Sequence, residues 1–148
     1  MRRVLVASLV IAMGVASSRS ARADKAIGAV FGYPGSAGVS FRTGPIPINA
    51  AWSSDFFHFT LDKWMMKKKM KEDKEARLAW YLGPGVDMGI PLEDTHDFFL
   101  AGRVPIGLQF MLSPKLETFG EIAPGLQLLD TTDFYWASSV GIRFVLGQ

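Results

Sequence analysis

The sequence predicts an all-β protein: a single eight-stranded antiparallel up-and-down transmembrane β-barrel, preceded by a cleavable signal peptide. Three observations predict it. From Phe98 onward the chain alternates between a bulky apolar register and a small or charged one, which is the period of a strand. The charges carried by the second register balance. The first 23 residues have the composition of an export signal.

That leader comes first in the chain. Arg2 and Arg3 give a basic start, Val4–Ala16 is apolar and uncharged, and Ala21-Arg22-Ala23 is a small-x-small site. Cleavage is expected between Ala23 and Asp24. The apolar run is shorter than the roughly 20 residues a spanning helix needs, which weighs against the alternative of an N-terminal anchor. The chain has no cysteine, so neither a lipid-modified Cys nor a disulfide is available. Without the leader, 12 basic residues face 14 acidic ones, and the net charge changes from +2 to −2. A basic footprint for nucleic acid is therefore absent. Residues 24–148 are expected to form one barrel domain, since eight membrane-crossing strands consume most of that length.

The strands follow in order. Ala26–Tyr33 places Ile27, Ala29, Phe31 and Tyr33 on one face, and Pro34-Gly35-Ser36 turns the chain. Ala37–Thr43 has Val39 and Phe41 outward against Ser40 and Arg42. After Gly44-Pro45, Ile46–Ser53 sets Ile46, Ile48, Ala50 and Trp52 against Asn49 and Ser53. Phe56–Met65 sets Phe57, Phe59 and Leu61 against His58, Thr60, Asp62 and Trp64. The charge run Met66–Glu75 then reads as a solvated hairpin connection, with contact to anionic lipid headgroups as its functional alternative.

Arg77–Ile90 is the fifth expected strand, followed by the acidic loop Pro91–Asp97. Phe98–Leu112 is the sixth, Leu116–Leu128 the seventh and Phe134–Leu146 the eighth. Pro84, Pro105 and Pro124 fall inside these runs. Proline cannot donate to a ladder, so each marks a bulge or a local gap.

The non-oily register collects Arg42, Arg77, Arg103 and Arg143 against Asp62, Asp87, Glu117 and Glu121, with His58 on the same face. Unpaired, such charges are prohibitive inside a protein; as a neutral paired network they are tolerable. An eight-stranded barrel is just wide enough for side chains to fill, so a plugged interior is expected rather than an open pore. A soluble barrel makes the opposite demand, because its exterior must be polar.

Several stretches also resemble a family of small bacterial outer-membrane β-barrel proteins of unassigned function, OmpA/OmpX-like in architecture. They are Arg103–Phe110, Leu116–Leu128, Gly141–Phe144, Trp80–Val86 and Gly32–Gly35. The likeness covers most of residues 26–146 and is strongest after Arg77. It implies residence in the bacterial outer membrane and brings no catalytic motif and no cofactor. Some relatives are thought to bind host proteins at the cell surface. Ser139, Gly141, Phe144 and Leu146 resemble the C-terminal signal read by the barrel assembly machinery, with Leu146 standing where an aromatic is usual. With a periplasmic N-terminus, the turns near residues 34–36, 54–55, 91–97 and 130–133 face outward and the Lys-rich segment faces the periplasm.

The expected partners are outer-membrane lipid, the assembly machinery and an unidentified surface protein. The expected role is structural or surface interaction. A membrane-embedded lipid hydrolase is the alternative, drawing on His58, Asp62 and Ser40 or Ser139. The acidic loop offers Glu93, Asp94, His96 and Asp97 to a divalent cation, but loops of this kind are mostly solvated, and no metal site is expected.

Overall fold

A computed structural model describes residues 24–72, 77–94, 97–129 and 132–146. The leader, its cleavage position at Ala23, and His96 lie outside the described residues. The chain is all-β and antiparallel. The eleven strands among the described residues are β1 (Lys25–Tyr33), β2 (Ala37–Thr43), β3 (Ile46–Trp52), β4 (Phe56–Asp62), β5 (Met66–Glu72), β6 (Arg77–Leu82), β7 (Gly85–Pro91), β8 (Phe99–Arg103), β9 (Ile106–Ser113), β10 (Leu116–Gln127) and β11 (Phe134–Leu146). Tight turns join the early strands. At the β2–β3 turn Gly44 adopts φ 56°, a conformation that favours glycine, and its N–H donates to the Asp24 carbonyl at 2.8 Å.

Eight of these strands close a hydrogen-bonded ring in the order β11-β1-β2-β3-β4-β7-β8-β10, with β10 pairing back onto β11. The ring is not evenly arranged round one axis. Its register is staggered. From Ile27 the cross-strand partners run through Phe41, Ile48, Leu61, Val86, Gly102 and Leu126 to Phe134 on β11. Yet Ile27 itself pairs with Phe144, ten residues further along that same strand.

The number of strands exceeds the sequence expectation because two long runs are each divided and the Lys-rich segment is itself a strand. β4 and β5 are separated by Lys63–Met65, β6 and β7 by Gly83-Pro84, and β8 and β9 by Val104-Pro105. These breaks lie side by side and form a seam. Lys63 N–H donates to the Pro84 carbonyl and Val104 N–H to the Pro124 carbonyl, both at 2.9 Å. Gly83 N–H reaches the Pro105 carbonyl at 3.3 Å. Prolines have no N–H to give, so the ladder lapses at this level while their carbonyls still accept. Pro124 itself stays inside β10, opposite Trp136, between the stretch that pairs with β9 and the stretch that pairs with β8. Beyond the seam, β9, β6 and β5 continue as a branch from β10, and β5 ends the sheet.

The Lys-rich segment corrects the sequence reading. Met66–Glu72 is a strand paired with β6 from Met66↔Leu82 to Glu72↔Arg77, not a solvated connection. Lysine stems lie along a sheet while their ammonium heads stay in water, so a run of lysines can occupy a strand.

Large apolar side chains point away from the ring and charged ones point into it. Along β11, Phe134 is 72% exposed and Phe144 59%, whereas Arg143 between them in the alternation is 1% exposed. Small and aromatic residues share the interior with the charges: Ala26, Ala101, Ala123 and Ala137 are buried beside Tyr81, Phe119 and Tyr135. Two aromatic rings sit over glycines directly across the ladder, Tyr81 over Gly107 and Phe119 over Gly141. A side chain at either glycine would collide with the ring that covers it.

Candidate functional site: three buried charge clusters

The interior charges fall into three clusters, each built on one residue. In the first, Glu117 on β10 receives two arginines. Arg42 from β2 donates through Nε at 3.2 Å and through Nη2 at 2.6 Å, and Arg143 from β11 donates through Nη1 at 2.7 Å. Glu117 and Arg143 are direct cross-strand partners, so the register alone brings them together. The remaining donors are also placed. Arg42 Nη1 donates to the Gly44 carbonyl, and Arg143 Nε donates to Ser40 Oγ, which donates in turn to Asn49 Oδ1. The Arg143 guanidinium lies 3.8 Å from the Phe119 ring centroid, a cation–π stack.

The second cluster inverts the first: one arginine serves two carboxylates. Arg103 on β8 grips Asp62 with a two-pronged contact, Nε to Oδ1 at 2.9 Å and Nη2 to Oδ2 at 2.6 Å. The same Nη2 donates to Glu121 Oε1 at 2.8 Å, and Tyr81 OH donates to Glu121 Oε2 at 2.7 Å. In the third cluster Asp87 on β7 holds His58 Nδ1 at 3.1 Å and the hydroxyl of Tyr135. With the imidazole neutral the three clusters carry +1, −1 and −1. With it protonated they sum to zero.

Aromatic packing covers the first cluster. Trp64 follows β4 at the seam and stacks on Tyr81 with centroids 4.2 Å apart. Arg42 and Lys67 lie 5.5 and 5.3 Å from its ring centroid.

Of the residues grouped from the sequence, Arg42, His58, Asp62, Asp87, Arg103, Glu117, Glu121 and Arg143 are buried in these clusters. Arg77 is not: it is exposed, on the inward register of β6 but in the branch beyond the ring. Tyr81, Tyr135, Asn49 and Ser40 complete the clusters. Their position on the inward register was the available signal, but uncharged residues carry no balance to count.

The hydrolase constellation is not assembled. His58 and Asp62 are four positions apart on one strand, about 13 Å at strand rise, far beyond a hydrogen bond. Asp62 is held by Arg103, His58 by Asp87, and the Ser40 hydroxyl by Asn49 and Arg143. Beside His58, a recess of about 40 Å³ is lined by Asn49, Thr60, Asp87 and Arg103 among others. That space suits a water and excludes an organic substrate. Thr60 Oγ1, on this recess, is buried without a protein partner. Among the described residues no three His, Cys, Asp or Glu side chains are placed to hold a metal ion. Ser139, Gly141, Phe144 and Leu146 all lie on β11, the strand that closes the ring.

No family model matches this chain, and no curated protein matches it.

Tyr135→Phe tests the third cluster. Asp87 then keeps only the imidazole among the side-chain partners described above, and the loss of a bond to a buried charge is expected to cost about 1–3 kcal/mol. The denaturant midpoint reads it, and an unchanged midpoint contradicts the bond.

Proposed function

We propose that this chain is an integral β-barrel of a bacterial outer membrane, with a plugged interior and a structural or surface-interaction role. The observation that carries the proposal is the inverted distribution of polarity. Glu117 and Asp87 are fully buried while Phe31, Trp52, Phe134, Val140 and Phe144 stand exposed on the outside. In water such a surface drives aggregation. In a bilayer it is the surface a spanning barrel presents, and closure of the ring pairs both edges of each of its eight strands.

The stagger of the ring supports the same reading. Ten residues of offset around eight strands advance the chain by about 4 Å for each 4.8 Å step between strands, a tilt of about 40°. Spanning barrels have tilts in this range. The export leader read from residues 1–23 supports delivery to the cell envelope. The three clusters occupy the lumen, so the proposed role is not that of a pore.

The experiment is envelope fractionation of the full chain expressed in a Gram-negative host, followed by gel electrophoresis of unheated and heated samples. The protein is expected in the outer-membrane fraction, with the unheated form migrating faster. Equal migration together with recovery from the soluble periplasm overturns the proposal.

A further inference from the structure

The outer surface of the molecule is not convex throughout. Six strands that are neighbours in the sheet, β1, β11, β10, β9, β6 and β5, border a broad, open groove of about 800 Å³ on their outward side. Each contributes at least one large apolar residue: Phe31, Val140, Ile122, Leu108 with Ile106, Trp80 and Met70. Gly120 is the outward residue of β10 at the groove floor, and a Cβ there would meet only Val140 Cγ1, at 3.8 Å. The groove starts on the ring and ends on the branch. There, exposed Lys68 pairs across the ladder with Trp80, two residues before Met70.

The groove is therefore lined mostly by apolar residues, and an exposed lysine stands beside Trp80 at its branch end. We infer that it seats one acyl chain of an anionic phospholipid, with the lipid phosphate against Lys68. The inference rests on the membrane reading above. A convex apolar wall touches lipid chains without distinguishing them, whereas a groove fixes one chain. A lysine at its end adds a preference for a negative headgroup. Trp80 beside Lys68 is the pairing that marks the headgroup level of a spanning protein. A second copy of this chain or a foreign helix would use the apolar length of the groove but has no need of the lysine.

The test is native mass spectrometry of the full mature chain folded in detergent, with phosphatidylglycerol and phosphatidylcholine of identical chains added in turn. One phosphatidylglycerol is expected to be retained in preference to phosphatidylcholine by about fivefold, the contribution of one lysine near a headgroup. Lys68→Gln is expected to abolish the preference and keep the chain. Gly120→Leu, whose Cβ meets only Val140 Cγ1 at ordinary contact distance, is expected to fill the floor and abolish retention of both lipids while leaving heat-modifiable migration intact. Equal retention of the two lipids overturns the inference. So does a preference that survives Lys68→Gln, or a dimer that replaces the lipid-bound species. If the wild-type chain shows no heat-modifiable form, the membrane reading fails and the lipid site with it. If it shows that form but no preference, only the lipid site fails.

Discussion

Glu117→Ala is expected to cost more stability than the loss of either arginine it holds, about 3–5 kcal/mol. The reason is asymmetry within the cluster. Removing the carboxylate leaves two guanidinium groups, Arg42 and Arg143, beside each other with no anion between them, at 5% and 1% exposure. Removing Arg42 instead leaves the one-to-one pair of Arg143 and Glu117, at 2.7 Å, intact. Arg42→Ala therefore loses hydrogen bonds to a charge, about 1–3 kcal/mol, without stranding an ion. The second cluster makes the mirrored prediction. Arg103→Ala strands Asp62 and Glu121 together, whereas Glu121→Ala leaves the two-pronged Arg103–Asp62 contact in place. Urea midpoints of the four variants, folded in detergent and followed by tryptophan fluorescence, give the ranking. If Arg42→Ala is as damaging as Glu117→Ala, the carboxylate is not the residue on which the cluster depends.

These groupings were only partly legible in the sequence. Alternation in Phe134–Leu146 sorted Arg143 from Phe144 correctly because a strand has only two faces and the residues on them differ in kind. Which carboxylate meets which arginine was not legible. That depends on the stagger between strands distant in sequence, which brings Arg42 of β2 to Glu117 of β10, 75 positions away. His58 and Asp62 share one strand face in the sequence, but the partner of each, Asp87 and Arg103, lies on another strand and could not be read from spacing. The division of the long strands was anticipated at Pro84 and Pro105, since a missing N–H is a property of the residue itself. β4 ends at Asp62, three residues short of the end expected at Met65. Met66–Glu72 was hidden because lysines on both faces erase the polar–apolar alternation by which a strand is recognised, while its backbone pairs with β6 regardless. Trp64 lay on the inward register, but nothing in its neighbours told that it would stack on Tyr81 across the seam.

Gly28→Val is expected to prevent the ring from closing, and its effect should exceed that of any interior charge variant. Gly28 pairs with Ser40 of β2 on one side and Arg143 of β11 on the other. A Cβ at this position would collide with the Ile142 carbonyl oxygen and lie 2.7 Å from the Arg143 Cα. Both are backbone atoms of the closing strand, so no flexible side chain can swing aside to make room. β1 must then move off β11, where the pairing runs unbroken from Lys25↔Leu146 to Tyr33↔Ser138. In the bilayer proposed above for this ring, an opened ladder would leave N–H and C=O groups on both strands with neither water nor protein to satisfy them, at several kcal/mol for each group. The same movement carries β2 away with β1, which withdraws Arg42 from Glu117 and Ser40 from Arg143, so the first charge cluster fails with the closure. Gly120→Ala is the matched control, since its Cβ meets only Val140 Cγ1 at ordinary contact distance. In unheated gels the control is expected to keep the fast-migrating band and Gly28→Val to lose it, with degradation of the variant in the envelope. A Gly28→Val protein that keeps the fast band would show that β1 and β11 are not bound as closely as the register requires.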